Sequence, residues 1–310
     1  MSFHRHSHNK QGFMERETFI NTITEPAWLD KIGDAVQPAI LNSFQAGGKT
    51  GQDIKDFLHG VWLGHPLHPA ITDVPVGAWT AAAVLDALEL LGKNTYAKGA
   101  DAAVGIGLLG AVGAAVSGLT DWTATSQRTR KLGLVHALLN VGATALYSTS
   151  YFLRRQKHTR KTAIGLAMLG YGLVSFSAYL GGHLVYNEQV GVDHNLQFVD
   201  YPKDFVAVLP ENELPDNTLR CVKAGEVPVL LAKKNGVLYA IAHTCSHMGG
   251  PLSEGELMDD ACVRCPWHGS VFSLKDGSVV DGPATVPQPN FDVRVTDGQI
   301  EVKLATSPKV

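Results

Sequence analysis

The apolar positions of this 310-residue chain change rhythm near residue 190. Over 24–47, Trp28, Leu29, Ile32, Val36, Ile40 and Phe44 recur at three- and four-residue steps, the stripe of an amphipathic helix. Thr24 is placed to cap it, Pro26 falls in its first turn, and Gly47-Gly48 ends it. Such a helix is expected on a bilayer surface or against a soluble domain. A shorter helix is expected over 52–59, stopped by Gly60. Four long apolar runs follow, at about 70–91, 102–119, 132–153 and 163–185. Each approaches the roughly 20 residues with which a helix crosses about 30 Å of hydrocarbon. Short connectors make neighbours antiparallel, as in an up-down bundle. The second run, "AAVGIGLLGAVGAAVSGL", is rich in glycine and alanine, which lets helix backbones approach where lipid gives no hydrophobic drive.

Beyond residue 193 short alternating runs replace the long ones: "FVAVL", "LRCVKA", "VPVLLAKK", "VLYAIAH", "CVRCP", "VFSLK", "FDVRVT" and "IEVKL". Turn pairs separate them, among them Asn235-Gly236, Asp276-Gly277 and Asp297-Gly298, which are strong hairpin signals. The chain therefore reads as a multi-domain protein, an all-α four-helix transmembrane bundle followed by an all-β domain. The expected boundaries are a disordered polar tail at 1–23, amphipathic helices at 24–62, the bundle at 63–190, a linker at 191–204 and the β-domain at 205–306. His4, His6 and His8 fall in the tail, where loose metal binding is the lesser expectation.

Composition supports this division, because 45% hydrophobic residues with a mean hydropathy near zero average two different solvents. A formal charge of −3 gives no basic excess for phosphate backbones, so nucleic acid is not an expected partner. Four cysteines are too few for a disulfide scaffold. No apolar leader precedes the first span, and no cleavable signal peptide is expected.

Two of the cysteines carry the chemistry. "TCSHMGGPL" sets Cys245 two residues before His247, and "CPWHGS" sets Cys265 three residues before His268. Two thiolates and two imidazoles suit a tetrahedral zinc site or a [2Fe-2S] centre in which histidines replace two cysteines on one iron. Each arm here supplies one of each, whereas a zinc finger of this set usually pairs like with like. Cys221 and Cys262 have no partner at ligand spacing and are expected to pack in a core.

The stretches "AIAHTCSHMGGPLSEGEL" and "VRCPWHGSVFSLKDGSVVDGPA" resemble the two cluster-binding loops of Rieske proteins, over about residues 205–304. The resemblance implies a small antiparallel β-sandwich with a cluster-binding subdomain. It further implies Cys245 and Cys265 on a buried iron, with His247 and His268 on an outer one. High-potential relatives carry a disulfide between the loops, and the matching positions here are Gly250 and Trp267. They also donate hydrogen bonds to cluster sulfurs from a serine and a tyrosine, matched here by Ser270 and Phe272. Fewer donors stabilise the reduced cluster less, so the expected potential lies low in the roughly −150 to +300 mV Rieske range. Gly249, Gly250 and Gly269 serve either as close backbone approaches to the sulfurs or as turn residues.

In the apolar half, four histidines are expected near one membrane face: His65 and His68 before the first run, His136 in the third and His183 in the fourth. Paired imidazoles from different helices would suit axial ligation of a haem b, with a quinone pocket or a metal ion as the alternative. "WLGHPLHPAITDVPVGAW" resembles an uncharacterised family of small four-helix membrane proteins over 28–186, which carries no chemistry of its own. Lysines and arginines divide nearly evenly between the two faces, so the positive-inside rule does not orient the bundle. The missing disulfide and leader lean toward a β-domain on the cytoplasmic side of the cell membrane.

The leading expectation is a membrane-bound electron carrier, of oxidoreductase type and without an identifiable substrate site, exchanging single electrons with a redox group in or on the bundle. Its donor and acceptor proteins are unknown, and membrane lipid is its surrounding partner. One alternative is a ferredoxin-like supply component of a separate oxygenase or reductase. Another is a non-redox, zinc-stabilised membrane scaffold. A complete oxygenase is not expected, because too little chain follows His268 to hold a mononuclear iron domain.

Overall fold

The computed structural model describes residues 15–92, 94–198 and 200–306. They form two compact units, residues 15–43 with 68–188, and residues 44–67 with 189–306. His4, His6 and His8 lie outside the described residues. The segment 24–62, expected as one pair of amphipathic helices, is thus divided between the units.

The helices are α1 at 15–24, α2 (Trp28–Ala46), α3 (Gly48–His59), α4 (Leu67–Leu90), α5 (Ala97–Trp122), α6 (Gln127–Leu153) and α7 (Arg160–Tyr186). Four of them, α4 to α7, are long and apolar enough to cross a membrane. Small residues decide how they pair. Along α5, Gly113 faces Ile71, Gly110 faces Val74 and Pro75, and Gly107 faces Trp79, so closely that an added Cβ at Gly107 would meet the indole at 2.2 Å. Numbers rising on one helix as they fall on the other make α4 and α5 antiparallel. Trp79 in turn stacks on Tyr147 of α6 at 4.1 Å, and Tyr147 lies against Gly170 of α7. One aromatic pair therefore joins all four helices through the gaps that glycine leaves.

The first two helices belong to this unit rather than to a free tail. Residues 15–23, expected to be disordered, are helical: Ile20 is fully buried with Leu132 and Leu180, and Arg128 reaches Glu17. Helix α2 lays its apolar stripe on the α5–α6 turn, where Gln37 donates from Nε2 to the carbonyls of Trp122 and Thr125 at 2.8 and 3.0 Å.

Among the described residues of the second unit, ten strands form two antiparallel sheets. The six-stranded sheet runs β1-β10-β9-β4-β3-β2: β1 is Val206–Pro210, β2 Thr218–Ala224, β3 Val227–Lys234, β4 Val237–Ala242, β9 Asn290–Thr296 and β10 Gln299–Leu304. The four-stranded sheet is β5 (Glu256–Leu257), β6 (Cys262–Arg264), β7 (Val271–Ser273) and β8 (Val279–Asp281). The unbroken apolar run of β3 has a physical reason. Val229 and Leu231 face one core with Phe291 and Ile300, while Leu230 and Ala232 face a second core with Val263 and Phe272. That second core is the floor of the cysteine-histidine loops. Asn235 and Gly236, with φ of 52° and 78°, close the β3–β4 hairpin in the left-handed turn their types favour.

Candidate metal centre

Two loops rise from the small sheet and its neighbour β4, and their backbones are built alike. In the first, Cys245 N donates to Gly250 O at 2.9 Å and Gly249 N to Cys245 O at 2.9 Å. In the second, Cys265 N donates to Ser270 O at 2.8 Å and Gly269 N to Cys265 O at 3.1 Å. Gly249 and Gly269 occupy the same left-handed conformation, each at φ 78°, which turns the chain back after each histidine. Equivalent loops set equivalent donors. Cys245 and Cys265 are buried, and their thiols share a hydrogen bond. Sharing it holds Cys245 above the ordinary thiol range and draws Cys265 down to about 7.

The imidazoles of His247 and His268 face each other edge to face with centroids 5.1 Å apart. Burial, followed by repulsion from His268, His59, His194 and Lys55, keeps His247 well below the usual histidine range. Burial and then Lys55 also lower His268. Both imidazoles are therefore neutral near pH 7, the form in which a ring nitrogen can ligate. Nδ1 of His247 is buried without a hydrogen-bond partner. An orphaned lone pair or N–H of this kind costs roughly 1–3 kcal/mol unless something binds it. Among the described residues no three histidine, cysteine or carboxylate side chains converge on one ion. A thiol pair beside an imidazole pair fits two bridged irons better than one tetrahedral ion.

The surroundings close on these donors. Gly250 leaves no room for a side chain, since a Cβ there would stand 2.9 Å from Cys265 Sγ and 3.1 Å from the Trp267 ring. Ser270 is fully buried, and its Oγ accepts from Ala284 N at 3.0 Å, which leaves the hydroxyl proton free to point elsewhere. Phe272 is fully buried in the floor core. Cys262 is buried, whereas Cys221, expected in a core, is exposed on β2, a sheet edge.

Some neighbours were not legible as site residues. His194 N donates to Ser246 O at 3.1 Å, and its ring lies beside Gly249. Helix α3 brings Lys55 and His59 within electrostatic reach of His247, and Asp56 Oδ1 accepts from Gly282 N at 2.8 Å. Their signal was the polar stripe Gln52, Lys55, Asp56, His59, which reads equally well as a solvated helix face.

The four membrane-side histidines do not form one cluster. His68 and His136 meet edge to face, centroids 6.3 Å apart. His68 Nδ1 bonds Ala114 O at 2.8 Å, and His136 Nδ1 bonds Ser177 O at 2.9 Å. His183 instead faces Glu188, at 3.7 Å. His65 is exposed in the turn before α4, with Nδ1 on Pro66 O.

An antiparallel β-domain carrying two Cys-His loops above a shared core defines a Rieske-type protein. Residues 204–292 match the Rieske [2Fe-2S] domain family, and residues 64–194 match the family described as a predicted membrane protein, DUF2231. Over 100 residues the chain is 39% identical to the 3-phenylpropionate/cinnamic acid dioxygenase ferredoxin subunit of Escherichia coli K12, covering 32% of this chain and 88% of that one. Over 104 residues it is 36% identical to human apoptosis-inducing factor 3, which is 33% of this chain but only 17% of that protein's length. Among solved structures, the ferredoxin of carbazole 1,9a-dioxygenase from Nocardioides aromaticivorans IC177 aligns over 33% of this chain and 100% of its own, with 23% identity and a TM-score of 0.32. The chain belongs to the Rieske [2Fe-2S] family through its C-terminal domain, which follows the region that matches the predicted membrane protein family.

Proposed function

We propose that this chain is a membrane-bound electron carrier in which Cys245 and Cys265 hold one iron of a [2Fe-2S] cluster and His247 and His268 hold the other. The observation that carries the reading is the orphaned Nδ1 of His247 beside a facing imidazole and a paired thiol set. The bound cluster supplies a one-electron couple. The protein excludes water from the thiols, keeps the imidazoles neutral and presents as donors the Ser270 hydroxyl and the backbone N–H groups of His247, Met248, Trp267 and His268, which reach the two cysteine sulfurs. The test is iron and acid-labile sulfide in the purified full chain, with the reduced paramagnetic spectrum. Two irons and two sulfides per chain are expected, lost in Cys265→Ser; zinc without sulfide would overturn the proposal.

The electron's other stations lie on partner proteins or within the bundle. The E. coli relative is named as the ferredoxin subunit of a dioxygenase, which favours a second reading: supply of electrons to a separate oxygenase or reductase. For a redox group within the bundle, haem b or quinone, the supporting contact is the His68–His136 pair. Asn140 Nδ2 sits 3.2 Å from His136 Nε2, so axial ligation by His136 requires that amide to turn away. A hydrogen-bonded quinone makes no such demand. Optical spectra of oxidised and dithionite-reduced protein separate the two, because a haem adds sharp reduced bands. We assign the Rieske domain to the cytoplasmic face of the cell membrane, a reading supported by the unpaired thiols of Cys221 and Cys262, which lie outside the two ligand pairs.

A further inference from the structure

Helix α3 and the 3-10 turn after it, Val61–Leu63, have two unlike faces. On one, Asp56 accepts the Gly282 N–H, and a Cβ on Gly282 would meet Asp56 Oδ1 and Val61 Cγ2 at 3.1 Å and His59 Cδ2 at 3.4 Å. That face is docked on the loop whose next residue but one, Ala284, bonds Ser270. The other face leaves large apolar side chains in the open: Ile54 is 49% exposed, Phe57 56% and Trp62 60%. Phe57 and Trp62 stack with centroids 5.5 Å apart and planes 11° from parallel, and the Trp62 indole N–H donates to Phe57 O at 3.1 Å. The indole has spent its donor within the helix. Such a ring enters an apolar boundary without stranding an N–H.

The backbone shows where this patch must lie. Gly60, between His59 and Val61, packs so tightly against the next turn that a Cβ would stand 2.3 Å from His65 O and 2.7 Å from Leu67 N. Leu67 is the first residue of α4, the first of the four helices able to cross a membrane. A span begins at the edge of the hydrocarbon, and the stacked pair is folded back onto that same point. Tryptophan and other aromatic side chains are the residues that settle at this level. We propose that α3 is an interfacial helix: its Ile54, Phe57 and Trp62 face lies in the headgroup layer of the bilayer, while its Asp56 and His59 face holds the loop at Gly282.

The test uses the full-length, oxidised protein in phosphatidylcholine liposomes, in a Cys221→Ser background that removes the exposed native thiol and leaves only buried cysteines beside the introduced one. A nitroxide at Phe57→Cys is compared with one at Val237→Cys, which is 50% exposed on the β3–β4 hairpin. Power saturation should show the label at 57 in strong collision with oxygen, with loss of its collision with a water-soluble nickel chelate. The label at 237 should show the reverse. Equal nickel access at the two sites would overturn the proposal, as would a label at 57 shielded from both relaxants, which would mean a protein covers the face. A label at Ile54→Cys repeats the reading if the first variant folds poorly. Depth is read whether or not the cluster is loaded, so this result stands apart from the outcome of the metal analysis.

Discussion

Arg154 closes its guanidinium fork on Asp86, and both side chains are almost wholly out of solvent, at 1% and 0%. One nitrogen donates to Oδ1 at 2.7 Å and another to Oδ2, while Asp101 lies 3.1 Å from the same group. Next to them Arg160 pairs with Glu89 and Asp101. Charges at this depth are tolerated because each is matched by geometry as well as by sign. Asp86→Ala should therefore cost the bundle about 3 kcal/mol, since it leaves the buried cation only its single contact with the part-exposed Asp101. Replacing both partners together, Asp86→Leu with Arg154→Met, should recover most of that loss. Thermal unfolding of the full chain in nanodiscs decides it, and equal losses from the single and double variants would count against the pair.

Asp56 carries a pH dependence whose sign can be worked out. Burial, and after it the charge of Asp281, raises its carboxyl above the ordinary aspartate range; the Gly282 N–H, Gln52 and His59 pull against that rise, and Lys55 is a further charged neighbour. An acid whose folded pKa lies above its unfolded one stabilises the fold fully below the unfolded value. The contribution is lost as pH rises through the folded value. Asp56→Asn keeps an acceptor for Gly282 and removes the ionisation. Its stability relative to the native chain should thus grow as pH rises from 3.8 to neutrality, measured by denaturant unfolding at several pH values. A relative stability that falls over that interval would contradict the assignment.

Much of the architecture was legible because its signals were long or chemically specific. Four apolar runs of span length became α4 to α7, and Asn235-Gly236 closed the hairpin its residues favour. Spacing singled out the two Cys-His loops as a candidate site, since few other patterns put a thiol and an imidazole two or three residues apart twice, and the choice between zinc and an iron-sulfur centre came from the family resemblance. What was missed depends on partners distant in sequence. Residues 15–24 look like a polar tail because only Ile20 and its few apolar neighbours reach a core, and that core belongs to α6 and α7. Strands β5 and β8 span two and three residues, too short for alternation to show. The role of Asp56 could not be read at all without Gly282, 226 positions away. Likewise the four membrane histidines share a face in the sequence weave, yet only His68 and His136 meet.

Ser270 and Phe272 set an expected potential, and each can be moved separately. Ser270→Ala removes a hydroxyl proton available to a cluster sulfur and leaves Ala284 N without its acceptor. The variant should lose stability of about 1–3 kcal/mol and shift the potential downward. Phe272→Tyr adds a donor where high-potential relatives have one. A net hydrogen bond of about 1 kcal/mol corresponds to about 40 mV for a one-electron couple, by the relation of about 59 mV per tenfold change. Protein-film or dye-mediated titration should place the native centre below about +200 mV, low in the Rieske range, with Phe272→Tyr above it and Ser270→Ala beneath it. A native value above that limit would show that donors other than these two govern the couple.

Membrane orientation can be read from a cysteine the protein already carries. Cys221 stands exposed on the edge strand β2, whereas Cys245, Cys262 and Cys265 are buried. Burial of its immediate surroundings raises the Cys221 thiol above 9.0, so labelling should be run on the alkaline side, where the reactive thiolate is populated. With the Rieske domain on the cytoplasmic face, a membrane-impermeant maleimide should modify Cys221 in inside-out vesicles and spare it in right-side-out ones. Detergent should equalise the two preparations, and Cys221→Ser should abolish the signal in both. Labelling confined to right-side-out vesicles would place the domain on the opposite face, where reducing conditions no longer account for its unpaired thiols.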